Sequence, residues 1–187
     1  MDQNYKMAEI KFERAIAIDP KNFRAWYFFG RAKVQDGDLE RALKLFERAA
    51  MVRPEDFQSV LLQAQLYTSL GEKDQALEVT KLGIKRVRAI LDLDPGNNRA
   101  LNMGAFALLR LGHLEEARTW MTTSMKNAPM NSIIQYNAAC FFSLAGDADQ
   151  ALDCLEHCLI KVGSINREWL EHDSDMDNIR HYPRYEK

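Results

Sequence analysis

The 187-residue sequence has little of several features that mark particular classes of protein. Five prolines and nine glycines are too few for a long linker. A net charge of −2 lacks the basic excess that is usual in nucleic-acid-binding proteins. No apolar run approaches the roughly 18–20 residues needed to span a bilayer. Three cysteines without a disulfide spacing pattern suggest a reducing compartment. We therefore expect a cytoplasmic protein with no nucleic-acid partner and no membrane insertion.

Motifs that carry common chemistries are also missing. The sequence contains no P-loop, no G-x-G-x-x-G, no H-E-x-x-H and no G-x-S-x-G. It also offers no evident pairing of a nucleophile with a base. We therefore predict that the protein is not an enzyme, and we expect no catalytic residue, no cofactor and no bound metal.

What the sequence does contain is an internal repeat. Alanines recur at steps of 34, 34, 41 and 34 residues, while glycines and prolines recur at steps of 34, 41 and 34. Three residue types that share one irregular spacing are hard to obtain by chance. The positions are Ala8, Ala42, Ala76, Ala117 and Ala151; Gly37, Gly71, Gly112 and Gly146; and Pro20, Pro54, Pro95 and Pro129.

Each repeat is predicted to contain two helices. An Asn or Asp follows each proline by two residues and is a favourable N-cap for the first helix. Gly37 then permits a turn, and Asp38 is positioned to cap the second helix. The predicted first-helix caps are Asn22, Asp56, Asn97 and Asn131.

The first complete repeat resembles the tetratricopeptide repeat, whose pattern is W-x₂-L-G-x₂-Y…A-x₃-F…P. Its matching residues are Trp26, Phe29, Gly30, Ala42, Phe46 and Pro54. Weaker copies follow in phase, so the resemblance covers about residues 5–163. It implies an all-α fold: a right-handed α-solenoid of antiparallel helix pairs, the TPR superhelix, with a short C-terminal capping segment.

The repeat spacing divides the chain into six segments. They are the second helix of an incomplete repeat (1–22), four repeats (23–56, 57–97, 98–131 and 132–164) and C-terminal cap helices (165–187). Two alternatives remain for the incomplete repeat: the chain is part of a longer protein, or it begins with a solitary capping helix. The repeat at 57–97 carries seven extra residues, which predicts a second helix about 10 Å longer than its counterparts. That longer helix is either a protrusion for a partner or an ordinary insertion, and we expect it to offset the later repeats.

The resemblance also implies a concave surface lined by the first helix of each pair. Rings, amides and arginines at these positions are typical of peptide recognition. Four arginines without an acid favour an acidic or carboxylate-bearing ligand, although arginines could equally keep an open groove soluble. The expected peptide-binding groove consists of Arg24, Tyr27, Arg31, Leu61, Gln65, Arg99, Asn102, Phe106, Arg110, Tyr136 and Asn137.

One specific ligand of the family is not predicted. Chaperone-binding members hold a C-terminal carboxylate with a Lys/Asn/Arg clamp. In either repeat register, the corresponding positions here do not reproduce that clamp. We therefore do not expect this chain to bind chaperone tails.

Two short segments raise the question of a metal site. The segment "CLEHC" places Cys154, His157 and Cys158 within one helical turn, but Cys158 falls in the small-residue slot of the repeat, which favours a core role. Asp173, Asp175 and Asp177 match the opening of a calcium loop. The following residues do not, because Asn178 and Arg184 occupy the glycine and glutamate places.

The acidic stretch is better explained as a cap. It resembles the W-L-E-x-D-x-D-x-D…P-R-[FY] endings of many bacterial tetratricopeptide proteins. We predict a short helix over residues 165–172, anchored by Trp169 and Leu170, and a second one N-capped by Ser174. Met176 and Ile179 are expected to face the repeats.

Three functional hypotheses follow. The first is a non-enzymatic protein–protein interaction module, a scaffold or regulatory region that binds a peptide or protein segment. The second is a self-associating array, since the incomplete repeat leaves a helical face uncovered and makes a homo-oligomer possible. The third, less favoured, is an enzyme or metal site in the acidic C-terminal stretch.

Overall fold

A computed structural model describes residues 3–159, 170 and 172–185. In these residues the chain is all-α and forms a helical-repeat solenoid, as predicted. No helix among them is both long and apolar enough to cross a membrane. The elements are α1 (Gln3–Ile18), α2 (Phe23–Gln35), α3 (Leu39–Val52), α4 (Phe57–Ser69), α5 (Lys73–Leu93), α6 (Asn98–Arg110), α7 (Leu114–Asn127), α8 (Ser132–Leu144), α9 (Ala148–His157) and a 3₁₀ helix (Ser174–Met176).

The chain divides into two compact units, Met1–Arg86 and Val87–Lys187. The boundary falls inside α5, whose 21 residues exceed the 14 of α3 and of α7 by seven. The predicted longer second helix is therefore confirmed. At a rise of 1.5 Å per residue, the extra length is about 10 Å.

The first helices begin as the sequence predicted. The side chains of all four predicted N-cap residues accept a hydrogen bond from the backbone N–H three residues later. These caps satisfy amide groups that have no partner within the helix. Gly37 has a φ of 78°, which favours glycine because a side chain would be strained there. Asp38 then caps α3 as expected.

Unit 1 is held together by close approach of its paired helices. Ala42, Phe46 and Ala49 of α3 are fully buried. The Phe46 ring fills the space beside Gly30, where an added Cβ would lie 2.9 Å from that ring. The small residues of the repeat therefore make room for one aromatic ring between α2 and α3.

Helix α1 packs on α2 through an aromatic contact and ion pairs. The rings of Phe12 and Phe29 stack with centroids 5.4 Å apart. Glu9 accepts hydrogen bonds from Lys33 of α2 and from Arg41 of α3. Trp26, the first residue of the repeat pattern, is only partly buried, and its indole N–H donates to the Pro20 carbonyl at 2.8 Å.

Unit 2 repeats the same construction with different residues. Gly104 of α6 faces Trp120 of α7, and a Cβ there would lie 2.5 Å from the indole ring. Phe141 and Phe142 of α8 are buried and meet edge to face at 5.3 Å. In unit 2, α6 thus packs against α7, and α8 packs against α9.

The C-terminal stretch differs from its prediction in one detail. Asp173, not Ser174, is the N-cap of the 3₁₀ helix, because its carboxylate accepts a hydrogen bond from the Asp175 backbone N–H. Met176 and Ile179 are buried, as predicted, and the 3₁₀ helix packs against α8. The predicted helix at 165–172 lies largely outside the described residues, although Leu170 is buried.

Candidate functional site

In unit 1 the first-helix surface of α2 and α4 contains five of the predicted groove residues. Arg24, Arg31 and Gln65 are exposed, whereas Tyr27 and Leu61 are buried. Three of the five side chains are therefore accessible to a ligand in this unit.

Tyr27 serves the packing of unit 1. Its ring is 6% exposed and contacts Phe23 and Phe46. Its hydroxyl donates to Gln58 Oε1 at 3.3 Å, which joins α2 to α4. The ring area that the sequence assigned to a ligand is therefore used in packing α2 against α3, and the hydroxyl links α2 to α4.

Leu61 is buried for a related reason. Its side chain lies directly over Gly83 of α5, where no Cβ could be accommodated without displacing it. Leu61 therefore fills the space between the two helices of its own repeat and is withdrawn from the surface.

Phe28 is a surface residue that the sequence analysis missed. Its ring is 48% exposed and meets Tyr27 edge to face at 5.3 Å. A signal for it was present: Phe28 and Phe29 are adjacent, and neighbouring residues on a helix point in different directions. Since Phe29 is buried, Phe28 had to lie on another face.

In unit 2 most of the predicted residues have contacts within the unit. Asn102 is buried, accepts a hydrogen bond from Asn137 at 2.9 Å and donates to the sulfur of Met121. Phe106 is partly buried and packs edge to face on Phe141. Arg99 is exposed, in the same position after its N-cap as Arg24.

The acidic stretch supplies the partner of Tyr136. The Tyr136 hydroxyl donates to the Asp173 carboxylate at 2.6 Å, and the Cys140 thiol lies 3.9 Å from the same oxygen. Burial and then the hydrogen bond to Asp173 raise the pKa of Tyr136 well above its usual range. Burial is also the main reason that the pKa of Cys140 is raised. Tyr136 and Cys140 are thus covered by the chain's own carboxylate.

Arg110 of α6 lies in the field of the same stretch. The residue is exposed, yet the surrounding protein lowers the pKa of its guanidinium by displacing water, and Asp175 partly opposes this shift. The pKa of Asp175 is raised, first by burial and then by Asp173, while Arg110 lowers it. The charges of Arg110 and Asp175 therefore interact within unit 2.

Two arginines hold the acidic stretch in place. Arg180 donates to the carbonyls of Leu170 and Asp173, at 2.8 and 2.7 Å, and to the Asp177 carboxylate. Arg184 reaches back to α9, where it pairs with Asp153 and Glu156. The stretch is therefore packed as a cap on α8 and α9.

The "CLEHC" segment is part of the core of unit 2. Cys154 and Cys158 are buried, and burial raises the pKa of Cys154 to about 12. The Cys158 thiol donates to the Ser132 carbonyl, and the His157 ring lies 3.1 Å from the Pro129 carbonyl. Across the residues that the structure describes, no group of three or more His, Cys, Asp or Glu side chains is arranged to hold a metal ion.

Comparison with known proteins finds a family model that matches part of the chain. Residues 2–66 match the family model described as "Tetratricopeptide repeat". Human superkiller complex protein 3 is 26% identical over 151 residues, which cover 77% of this chain and 9% of that protein. The PEX5-related protein of Rattus norvegicus is 23% identical over 154 residues, covering 79% of this chain and 25% of that protein. The chain thus spans a quarter or less of the length of these two relatives.

Solved structures share the fold at low sequence identity. A thermophilic TPR protein of Thermus thermophilus superposes with a TM-score of 0.67 and 16% identity, covering 86% of this chain and 84% of that one. PilW, a type IV pilus biogenesis factor, has a TM-score of 0.66 and 16% identity, covering 98% and 82%. The hetero-tetramer Cut9–Hcn1 of the APC/C has a TM-score of 0.66 and 14% identity, covering 97% and 33%.

Proposed function

Because residues 2–66 match the tetratricopeptide repeat and the described chain has the fold of a helical-repeat solenoid, we propose that it is a non-enzymatic module that binds a segment of another protein along the first helices of its repeats. In this proposal it acts as a scaffold or regulatory region of a larger protein.

One observation carries the proposal. On α2, the side chains of Arg24, Phe28 and Arg31 are exposed on one surface, and within the described residues neither arginine has a hydrogen bond or ion pair. Exposed aromatic and arginine side chains are the groups that most often dominate binding energy at protein interfaces. Because these two arginines have no such partner among the described residues, they and Phe28 are available to bind another protein.

The names of its relatives support a protein partner. Superkiller complex protein 3 is named as a component of a complex, and Cut9–Hcn1 is a hetero-tetramer. Helical repeats by themselves supply no catalytic group, so binding is the simplest use of this surface.

Site-specific photo-crosslinking tests the proposal. A photoreactive phenylalanine is placed at exposed first-helix positions, Gln65 and Arg99, and in control proteins at exposed second-helix positions, Lys44 and Lys126. We expect crosslinks from the first-helix positions to one defined segment of a partner, mapped by mass spectrometry. Crosslinks that come only from Lys44 and Lys126, or that scatter over unrelated proteins, would contradict the proposal.

A second candidate, self-association, is favoured by a separate observation. The apolar side chains of Met7, Ile10 and Ile18 on α1 are 51%, 56% and 75% exposed. A second copy of the chain could bury them. Light scattering at two concentrations would show a mass that rises with concentration and falls to that of a monomer in Ile10→Glu/Ile18→Glu. A Leu93→Glu variant, at an exposed leucine of α5, would keep the wild-type behaviour.

A further inference from the structure

Resting on the proposed function, we infer that one surface of unit 1 binds an acidic peptide segment that carries an apolar side chain. The surface consists of Arg24, Phe28, Arg31 and Gln35 and is called the α2 stripe below. The inference narrows the ligand site to α2 and gives the chemical class of the partner.

The geometry of the α2 stripe follows from its spacing. Its members are four, three and four residues apart, so they form a single line along the helix. All four are exposed, Phe28 to 48%. An aromatic ring therefore lies between two guanidinium groups on one continuous surface.

No acidic residue on α2 balances the positive charge of the α2 stripe. Residues 23–35 contain no Asp or Glu. The remaining cation of α2, Lys33, is buried and already paired with Glu9 and Asp36. Elsewhere, arginines such as Arg118 and Arg184 have carboxylate partners. Arg24 and Arg31 are therefore positive groups to which the described part of the chain offers no acid.

In unit 2, polar side chains of the first helices find a partner in the chain's own acidic stretch. There the Asp173 carboxylate accepts a hydrogen bond from Tyr136, so a carboxylate of the acidic stretch lies on the first-helix surface. Among the described residues, no carboxylate forms an ion pair or a hydrogen bond with Arg24 or Arg31 of unit 1. We therefore assign recognition of an external acidic segment to the α2 stripe.

The distance between the two arginines constrains the ligand. Seven residues of helix place Arg24 and Arg31 about 10 Å apart along the axis. A peptide in the polyproline II conformation covers that distance in about three residues, at about 3.1 Å each, and its side chains return to the same side every third residue. The best ligand therefore carries two acids about three residues apart, with an apolar side chain between them to contact Phe28.

Selection from a random 12-residue phage-displayed peptide library tests the inference. We expect enrichment of peptides with this acid–apolar–acid pattern. Synthetic versions, measured by fluorescence anisotropy, should bind Arg24→Glu/Arg31→Glu at least about tenfold more weakly. Phe28→Ser should weaken binding through the lost apolar contact, and added salt should weaken it through screening.

A control protein makes the result specific. Lys44→Glu/Arg48→Glu changes the net charge by the same amount at exposed positions of α3 and is expected to bind the selected peptides as wild type does. Arg99→Glu reverses the equivalent charge on the first-helix surface of unit 2 and distinguishes the α2 stripe from that surface. Because Arg24 and Arg31 are exposed and unpaired, their double variant should keep the wild-type melting temperature, and Arg24→Gln/Arg31→Gln provides a milder second test.

Three results would overturn the inference. They are enrichment of neutral or basic peptides, equal loss of binding in the α3 control, and enrichment of nothing above the level of protein-free beads. If binding is lost in Arg99→Glu and kept in Arg24→Glu/Arg31→Glu, the α2 stripe is wrong but the interaction module stands. The photo-crosslinking experiment decides the module separately.

Discussion

At the scale of the residue, Lys33 shows how unit 1 stabilises a buried charge. Its ammonium lies 2.8 Å from Glu9 and 3.2 Å from Asp36, and its side chain is 7% exposed. The hydrogen bond to Glu9 is the main reason that the pKa of Lys33 is raised, and the hydrogen bond from Lys33 is the main reason that the pKa of Glu9 is lowered. Such a pair fixes the position of α1 on α2 when both partners are present.

The pH dependence of stability should reflect this pair. A carboxyl whose pKa is lowered by folding contributes stability above its unfolded pKa and loses it as the pH falls through the folded pKa. Glu9→Gln should lower the free energy of unfolding at neutral pH by about 1–3 kcal/mol. The difference from wild type should shrink in acid. Urea unfolding at several pH values measures it, and a pH-independent difference would contradict the pair's role.

Trp26 and Phe46 should differ in their contribution to stability. Phe46 is fully buried, so Phe46→Ala should cost about 3–5 kcal/mol. The sequence pattern alone suggests a similar cost for Trp26, but that ring is only partly buried. We expect Trp26→Ala to cost clearly less than Phe46→Ala in thermal or urea unfolding. Equal losses would show that the indole is a full core residue.

At the scale of the helix, the glycine slots determine how closely paired helices approach. Gly104 of α6 lies under Trp120, and Gly30 of α2 lies under Phe46. A helix-interior glycine normally costs about 1 kcal/mol relative to alanine, so these positions are used because a larger side chain does not fit.

Replacing Gly104 by alanine should therefore destabilise unit 2. The new Cβ would lie 2.5 Å from Trp120, and overpacking of this kind costs about 1–3 kcal/mol. Gly96→Ala is the matched control, because a Cβ there comes no closer than 3.7 Å to the Asp94 carboxylate. Urea unfolding should show a loss for Gly104→Ala and little change for Gly96→Ala. A larger loss for Gly96→Ala than for Gly104→Ala would show that close packing against Trp120 is not the reason for the glycine at position 104.

At the scale of the whole molecule, the C-terminal stretch completes unit 2. It covers the surface of α8 with Met176 and Ile179 and closes over Cys140, which is 4% exposed. An end repeat needs such a cover because its apolar face would otherwise meet solvent. The same residues that suggested a metal site thus protect the last repeat.

The reactivity of Cys140 should report whether this cover is closed. Arg180 binds two backbone carbonyls of the stretch, so Arg180→Ala should open it and speed labelling of Cys140 by a thiol reagent. Arg184→Ala removes only exposed ion pairs and should have a small effect. Mass spectrometry of the labelled peptides distinguishes Cys140 from Cys154 and Cys158. Equal labelling rates in wild type and Arg180→Ala would contradict the role of Arg180.

The sequence by itself determined the repeat, the helix caps, the longer α5 and the buried alanines of the second helices. These features are local: an N-cap, a turn glycine or a 3.6-residue period acts within a few residues, so it can be recognised from spacing alone. The burial of Met176 and Ile179 was predictable for the same reason, from their separation of three residues.

Only the tertiary structure decided which first-helix side chains remain available. Tyr27, Leu61 and Asn102 occupy predicted groove positions but are buried, because neighbouring helices bring them partners that lie 31, 22 and 35 residues away: Gln58, Gly83 and Asn137. Phe28 is exposed, whereas its neighbour Phe29 takes the core position. Accessibility depends on contacts between elements distant in sequence, and no local pattern records them.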